Sequence, residues 1–392
     1  MQELDSKSYN YAKFNGTTGQ YYRIWLVNII LTIFSVGIYS AWAKVRKLKF
    51  FLGSTEYEGS YFDFHGSPIA ILRGRIILVV MFIVYLGVTR IDPLAIPISG
   101  FMIYLFIPFL IVKSLEFRLR YTSYRNLRFS FRGKFKEAYK IWFKFFIFPL
   151  AMVLISSYLA AQVGITNGKE KMTPAQVQQL MYSFIPNLIA FLYFVFMFHR
   201  IFNAIISFIF NNIFYGDTQL SMNSDKSQVL KEVYLKWLKI FFISSVTFIF
   251  LLACVIFGVQ YFKLLNAKMT GVITGISFVL VYLSFGISFL YFNFLTLRYI
   301  WSRVTIGEKY SCVFNLNFKE YFQVLFTNII ILIFTFGLAY PYTAVRFQRM
   351  LIEARGSDID NFDDFSGSDL ESKSAYGEEI SEGLDLGFEF GL

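Results

Sequence analysis

Charged side chains are scarce in this chain: Asp, Glu, Lys and Arg make up only 16% of its 392 residues. Soluble domains usually carry about a quarter, so the composition excludes an ordinary globular protein. Cysteine is almost absent, and the two that occur are too few for a disulfide framework. Neither Cys254 nor Cys312 has metal-ligand spacing, so we expect no metal site and no other cofactor.

The signatures of catalysis are also missing. The chain has no Gly-x-Ser-x-Gly, His-Glu-x-x-His or phosphate-binding glycine loop, and its two histidines, His65 and His199, lie far apart. No carboxylate lies in the middle of an apolar run, which argues against proton-coupled transport. The sequence therefore predicts a protein that is not an enzyme.

Apolar residues dominate instead, at 56% of the chain, with 20% aromatic residues and a mean hydropathy of +0.52. Several runs approach the length of about 20 residues that a helix needs to cross a bilayer core. The runs are continuous, whereas a membrane β-barrel shows alternating segments. We therefore expect an all-α polytopic membrane protein with six clear transmembrane helices. They pair into three hairpins: 76–89 with 94–112, 145–161 with 184–210, and 240–259 with 272–297.

The net charge of +11 is unevenly distributed. Residues 356–392 hold eleven acidic residues and one lysine, a composition that predicts a disordered tail. Before it we expect a short N-terminal segment, 1–20, and a membrane domain, 21–355. The long basic loops are predicted to lie in the cytoplasm, as are both termini, with anionic lipid headgroups as partners. Nucleic acid is not expected, because the basic residues flank apolar runs. A homo-oligomer and a protein partner for the tail both stay open.

Two apolar segments at the ends of the chain, 21–47 and 321–346, resemble each other. At an offset of 300 residues Asn28 falls on Asn328, Gly37 on Gly337 and Arg46 on Arg346. A Phe-x-Gly motif also recurs, at the same spacing, ahead of two aromatic and cationic membrane entries. We interpret these matches as internal pseudo-repeats. The motif occurs as Phe14-x-Gly16 and Phe131-x-Gly133, with an echo at Phe64-x-Gly66.

The repeat bears on topology. Residues 131–133 lie in a basic loop, which the positive-inside rule places in the cytoplasm, so the equivalent residues 14–16 are expected there too. The loop after 21–47 is also basic, which would put both ends of this segment on the cytoplasmic side. Both terminal segments are then either re-entrant, turning near Gly37 and Gly337, or ordinary spans. Short strands or turns and interfacial helices are expected on the cytoplasmic side, including a hairpin within 49–68.

The string NIILTIFSVGIYSAWAKVRKLKFFLGST, followed by GSYFDFHGSPIAILRGR, resembles the YjgN-like family of bacterial inner-membrane proteins, a domain of unknown function. The resemblance is specific over roughly residues 11–80. It implies a multi-pass inner-membrane location and no assigned activity or site.

Two functions follow from the polar and cationic residues. The first is a transporter or channel for a small solute, and the second is a structural or lipid- and partner-binding protein with a basic cytoplasmic face. Interhelical hydrogen bonding and snorkelling to headgroups are the structural explanations of the same residues. The candidates for a substrate pathway are Asn28, Thr32, Gly37, Asn328 and Gly337; those for an anionic headgroup or vestibule site are Arg46, Lys113, Arg120, His199, Arg200, Arg298 and Arg346.

Overall fold

A closed ring of short antiparallel strands, entered by helices at one end, organises the chain. The computed structural model describes residues 8–91, 95–162, 173–261, 267–307, 309–360, 362 and 365. The strands are β1 (Asn10–Tyr11), β2 (Lys13–Phe14), β3 (Thr55–Tyr57), β4 (Ser60–Phe64), β5 (Thr122–Tyr124), β6 (Leu127–Phe131), β7 (Ile213–Tyr215), β8 (Thr218–Met222), β9 (Val304–Ile306), β10 (Tyr310–Phe314) and β11 (Arg355–Ser357).

Helices connect the strand pairs, and a π-helical turn at Leu230–Tyr234 leads into one of them. The helices are α1 (Thr18–Phe34), α2 (Ser40–Gly53), α3 (Pro68–Ile91), α4 (Ala95–Arg120), α5 (Phe135–Ala161), α6 (Pro174–Ser183), α7 (Ile185–Phe210), α8 (Lys226–Val229), α9 (Leu235–Tyr261), α10 (Ala267–Trp301), α11 (Phe318–Phe334) and α12 (Tyr340–Glu353).

The expectation of an all-α fold is wrong, because eleven strands form one antiparallel sheet. Each strand has only two to five residues, so its alternation is too short to stand out between long apolar helices. The strands also pair with partners brought close by the intervening helices, which no local pattern reveals. Short strands or turns are expected from the sequence on the cytoplasmic side, and the hairpin expected within 49–68 corresponds to β3 and β4, but the sequence does not indicate a continuous sheet.

The expected number of membrane helices also needs correction. Within the described ranges, five helical segments rather than six are long and apolar enough to cross a membrane. Only 11–22% of the residues in the apolar window of each segment are buried, so most of their side chains are at least partly exposed, as lipid-facing side chains are. Neighbouring long helices pack in pairs, α5 along α7 and α9 along α10. The segments are Pro68–Val88, Gly100–Arg120, Phe135–Ala160, Pro174–Phe210 and Lys226–Phe250.

Tight turns join the strands at the end of the ring away from the helices. Glu58 and Gly59, between β3 and β4, have φ of 45° and 70°, and Arg125 and Asn126, between β5 and β6, have 46° and 64°. Two successive positive φ angles define a type I′ turn, whose twist matches that of paired strands. The short turns therefore set the register of each strand pair, as in Tyr57 opposite Ser60.

The N-terminal strand closes the ring. β1 pairs with β11, placing Tyr11 opposite Gly356, whereas β2 pairs with β3, placing Phe14 opposite Thr55. Between them the Ala12 amide donates to the Arg355 carbonyl at 3.0 Å, so residues 10–14 run as one strand between the two edges. Closure leaves neither edge open for pairing with another chain.

Tyrosines bridge neighbouring hairpins inside the ring. The Tyr215 hydroxyl donates to the Tyr124 carbonyl at 2.9 Å, and the Tyr124 hydroxyl donates to the Tyr57 carbonyl at 2.5 Å. The Tyr57 hydroxyl in turn lies 2.6 Å from the Ser357 hydroxyl. All three tyrosines are buried in one apolar cluster with the sheet-facing ends of α4, α7 and α10.

The Phe-x-Gly motif marks the exit from the ring. The Phe64 and Phe131 rings are buried and fold back over the glycines two residues later. A Cβ atom added to Gly66 would lie 2.4 Å from the Phe64 ring, and one added to Gly133 would lie 2.5 Å from the Phe131 ring. Glycine is therefore required at these positions because the aromatic ring occupies the space of a side chain.

Candidate functional site

Each terminal apolar segment folds into a helical hairpin, α1 with α2 and α11 with α12. The chain reverses at Gly37, with φ of +88°, and at Gly337, with φ of +82°. The residues just before them, Val36 and Phe336, also have positive φ, at 50° and 49°. Both hairpins start and end at the ring, which is the geometry of the re-entrant alternative.

The tips of the two hairpins are apolar and exposed. Val36 is 92% exposed and Phe336 is 95% exposed, the highest values among the exposed large apolar side chains of the described chain. Burying such side chains in an apolar environment stabilises by roughly 1.5–3 kcal/mol each. The tips therefore suit a lipid environment. The other exposed apolar residues at the tips are Ile33, Phe34 and Ile38 in the first hairpin, and Ile333, Phe334 and Leu338 in the second.

Asparagine side chains hold the two arms of each hairpin together. The buried Asn28 amide donates to the Ala43 carbonyl at 3.5 Å, and the buried Asn328 amide donates to the Thr343 carbonyl at 3.2 Å. The Thr32 carbonyl accepts from the Gly37 amide at 2.8 Å and thereby stabilises the first reversal. The predicted pathway residues are thus placed at equivalent points of two hairpins.

The equivalent arginines make different contacts. Arg346 donates to the Thr327 hydroxyl at 2.8 Å and to the Asn328 Oδ1 at 3.4 Å, which keeps it on its own hairpin. Arg46 is exposed and lies 5.5 Å over the Tyr39 ring, and the buried Asn28 Oδ1 accepts no hydrogen bond from a described residue. The first hairpin therefore presents the more accessible cation.

An open groove of about 460 Å³ runs along the first hairpin, lined by Ile24, Arg46, Lys49 and Phe50. Arg46 and Lys49 lie one turn apart on the same side of α2. At 1.5 Å per residue from the start of the helix at Ser40, they lie about 9 and 14 Å along its axis from the tip. Half of a bilayer core is about 15 Å thick, so with the tip inserted Lys49 lies close to the headgroup level. Arg46 lies about 6 Å below that level, a distance that its long side chain can span by snorkelling.

The two hairpins pack side by side. The Trp25 and Tyr340 ring centroids are 6.3 Å apart, and Arg349 of α12 donates to the Gly16 carbonyl ahead of α1 at 3.0 Å. One buried apolar cluster contains residues of both hairpins, including Tyr21 and Val345. The arms of the two hairpins therefore pack into one unit, the wedge, and both apolar tips are exposed. We call the cations around it, Arg23, Arg46, Lys49, Arg346 and Arg349, the collar.

The remaining predicted vestibule residues lie on α4, α7 and α10. The Lys113 ammonium lies 2.7 Å from the Glu116 carboxylate, and the half-buried His199 ring lies 6.0 Å from the Tyr234 ring. Arg200 and Arg298 are exposed. Arg120 is the last residue of α4, so these residues lie on three helices, none of which belongs to a terminal hairpin.

The far end of the ring, at its tight turns, is covered by residues that follow β11. The Phe362 ring packs against Tyr124, with centroids 5.4 Å apart, and the Arg125 guanidinium lies 4.0 Å over it. The Phe365 ring packs against Tyr215 and Tyr310 at 5.4 and 5.8 Å. We call Phe362 and Phe365 the aromatic cover. The start of the predicted tail thus packs on the ring, and the rest of it, 366–392, lies outside the described residues.

Burial also changes the acidity of the ring's interior groups. It raises the pKa of Tyr57 to about 12. Burial, and then the nearby Asp358 carboxylate, raise the pKa of the Cys312 thiol to about 12. Across the part of the chain that the structure describes, no three His, Cys, Asp or Glu residues lie close enough to hold a metal ion.

Lys49 and Arg355 are not among the candidate residues predicted from the sequence. Lys49 is one of several cations in a basic stretch, and only the geometry of α2 separates it from the others. In the sequence Arg355 lies where the apolar pattern ends, so it is predicted to border the tail. In the structure it is instead the first residue of a ring strand. Pairing with the N-terminal strand, which the sequence does not reveal, makes it interior.

Comparison with known proteins gives relatives without an assigned activity. The chain is 26% identical to the inner membrane protein YjgN of Escherichia coli K12 over 160 residues, 39% of this chain and 38% of that protein. It is 28% identical to YjgN of Salmonella typhimurium over 159 residues, 40% of each chain. The matched region thus spans about two fifths of these curated relatives. No solved structure matches the chain. The model of a family described as bacterial protein of unknown function (DUF898) matches residues 10–383, so the chain belongs to this family.

Proposed function

We propose that the protein is a lipid-binding scaffold of the bacterial inner membrane. Its long apolar helices anchor it, and its two terminal hairpins insert as a wedge into the cytoplasmic leaflet. The collar then binds the phosphates of anionic lipids. The observation that carries this proposal is the distance of about 9–14 Å along α2 between the exposed apolar tip and the groove cations Arg46 and Lys49.

The location comes from the relatives and from the charge pattern. The similar proteins are named inner membrane proteins, and we carry that location to this chain. The positive-inside rule puts the ring, its basic connections and both termini in the cytoplasm. In that orientation the collar faces the anionic leaflet, where each nearby Lys or Arg contributes about 1 kcal/mol of attraction.

We also infer that the terminal hairpins descend from one duplicated unit. Three independent features support this: the same reversal geometry at Gly37 and Gly337, asparagines donating to the carbonyl 15 residues later, and a common spacing of 300 residues. Duplication gives a wedge of two similar hairpins, which displaces more lipid on one side of the bilayer than a single hairpin.

Transport of a small solute stays a prediction without a specific observation in its favour. The amides of Asn28 and Asn328 already donate to backbone carbonyls within their hairpins. A pathway lined by them would lose flux in Asn28→Leu with unchanged membrane insertion. A protein partner of the acidic tail and a second copy of the chain also stay predictions, as does the absence of enzymatic activity.

The first test measures lipid selection by the collar. The protein is reconstituted in nanodiscs of equal phosphatidylcholine and phosphatidylglycerol, and the lipid retained after detergent exchange is quantified by mass spectrometry. We expect enrichment of phosphatidylglycerol, falling at least threefold in Arg46→Gln/Lys49→Gln. Lys226→Gln/Lys231→Gln removes the same charge from exposed positions outside the hairpins and serves as the control. An equal fall in both variants would refute a site on the hairpin.

The second test measures orientation by labelling single cysteines in a variant lacking Cys254 and Cys312. We expect Ser8, Glu58 and Asp217 positions to react with an impermeant maleimide only from the cytoplasm. A cysteine at Val36 should stay unlabelled from either side, because the tip lies in lipid. Labelling of Ser8 from the periplasm would contradict the hairpin topology.

A further inference from the structure

Arg355 is an unusual cation because it lies inside the ring at the end where the helices enter. It is the first residue of β11, and its carbonyl takes part in the closure of the ring. Its guanidinium carbon lies 5.0 Å over the Trp301 ring. No ion pair of Arg355 with a carboxylate is found within the described ranges, although a buried charge is costly unless it is paired.

Two enclosed donors lie beside each other here without acceptors. The Arg355 Nε and the Trp301 Nε1 are both shielded from solvent, and neither donates a hydrogen bond to a described residue. Enclosed N–H groups normally have partners, so each such group calls for an explanation. Other atoms of both side chains remain partly accessible, so the pair borders the surface of the protein although the two N–H groups themselves are enclosed.

The electrostatic setting is positive. Burial, and then the charge of Arg118 near the end of α4, lower the pKa of Arg355 to about 10. Arg118 has contacts of its own, but its charge still acts on Arg355. Two like charges in a partly buried place are stabilised by an anion between or beside them.

We propose that Arg355 and Trp301 form a binding site for a phosphate-type oxyanion at the helix-facing end of the ring. The guanidinium supplies charge and a fork of N–H donors, which matches the geometry of phosphate oxygens. The indole supplies a further N–H donor. The same chemistry is offered by free inorganic phosphate and by the phosphodiester of a lipid headgroup. The site is separate from the collar and does not depend on the proposed function.

The test uses the full-length protein in neutral detergent without anionic lipid. Titration with inorganic phosphate is followed by calorimetry. Phosphatidylglycerol is then added to a separate sample, and its retention is followed by native mass spectrometry. We expect Arg355→Met to weaken the binding of the preferred ligand at least tenfold. Trp301→Phe, which keeps an aromatic face and removes the N–H, should weaken it severalfold. Arg355→Lys, which keeps the charge and loses the fork, should fall between wild type and Arg355→Met.

A matched control is Arg132→Met, which lies outside the collar. Arg132 also lies over an aromatic ring, Phe214 at 4.2 Å, but it donates to the Asp217 carboxylate at 3.2 Å and so has an acceptor. Its removal should leave phosphate binding unchanged. Phosphate binding assigns the site to a soluble anion, and binding of phosphatidylglycerol alone assigns it to a headgroup. Binding of neither, or equal binding by wild type and Arg355→Met, would overturn the proposal. If Arg355→Met does not fold, Trp301→Phe is the test: severalfold weaker binding supports the site, and binding equal to that of the wild type overturns it.

Discussion

The Asn328 side-chain amide donates to the backbone carbonyl of Thr343, 3.2 Å away across the second terminal hairpin. The same asparagine accepts from Arg346, so it links both arms of the hairpin through a donor and an acceptor. Its counterpart Asn28 makes a longer bond of 3.5 Å, and its Oδ1 accepts from no described residue. The two equivalent positions thus contribute unequally to their hairpins.

Replacing these asparagines tests this inequality. Asn328→Leu loses two interactions and should lower the free energy of unfolding by about 1–2 kcal/mol. Asn28→Leu should lower it by less than about 1 kcal/mol, because it loses one long bond and removes an unpaired buried oxygen. Thermal unfolding in detergent measures the difference. Equal destabilisation would mean that Asn28 is bonded more strongly than its geometry indicates.

The Phe-x-Gly motif gives a second prediction, based on sterics. Gly66→Ala places a Cβ 2.4 Å from the Phe64 ring and should destabilise by roughly 1–3 kcal/mol, the usual range for overpacking. Phe64→Leu/Gly66→Ala should be less destabilised than the sum of its single changes, since leucine leaves room for the methyl group. Gly19→Ala, whose Cβ meets no atom within 4 Å, is the control and should be neutral or stabilising by up to about 1 kcal/mol. Strict additivity would argue against this contact.

The aromatic cover gives a third prediction. Phe365 is buried against two tyrosines, so Phe365→Ala should lower the free energy of unfolding by about 3 kcal/mol or more. Phe362 is more exposed, and Phe362→Ala should have a smaller effect. Combining Phe362→Ala with Arg125→Ala should give less than the sum of the two, because both lose the same cation–π contact. Denaturant unfolding of the wild type, the two single variants and the double variant measures this coupling. Strictly additive losses of stability would refute the contact.

The buried thiol gives a fourth prediction, in alkaline solution. The pKa of Cys312 is raised from 9.0 to about 12, so the folded state disfavours the thiolate. Its contribution to stability is complete below pH 9 and is lost as the pH rises towards 12, at up to about 1.4 kcal/mol per pH unit. Between pH 8 and 10.5 the free energy of unfolding should therefore fall more steeply with pH in the wild type than in Cys312→Ala. Parallel slopes would show that the thiol titrates normally in the fold.

The same residue allows a chemical check. In a Cys254→Ala background, maleimide at pH 8 should modify Cys312 only after denaturation, because the thiol is 5% exposed and its thiolate is disfavoured. A cysteine introduced at the exposed Glu58 is the positive control. Rapid modification of the folded protein would indicate that the ring opens.

The apolar helices and both terminal segments could be predicted from the sequence, because a long run of apolar residues has one physical meaning in a bilayer. The equivalence of Asn28 and Asn328 could be predicted from their constant offset. The ring could not, since Tyr57 hydrogen-bonds Ser357 across 300 residues and strands of three residues carry almost no periodic signal. The apolar partners of the ring tyrosines likewise depend on helix ends that only the fold brings together.

The pairing of Tyr11 with Gly356 has a consequence for biosynthesis. The first strand leaves the ribosome about 345 residues before its partner, which at 5–20 residues per second is roughly 20–70 s. During this interval the N-terminal strand can pair with β3 alone, and its other edge has no native neighbour. β11, which follows the last turn of α12, therefore completes the ring. The earlier helices can be inserted into the bilayer in order, but the sheet closes only after this final strand has been synthesised. A product lacking Arg355–Ser357 would keep its membrane helices and leave one edge of β1 and one edge of β10 unpaired, and such edges can pair with other chains.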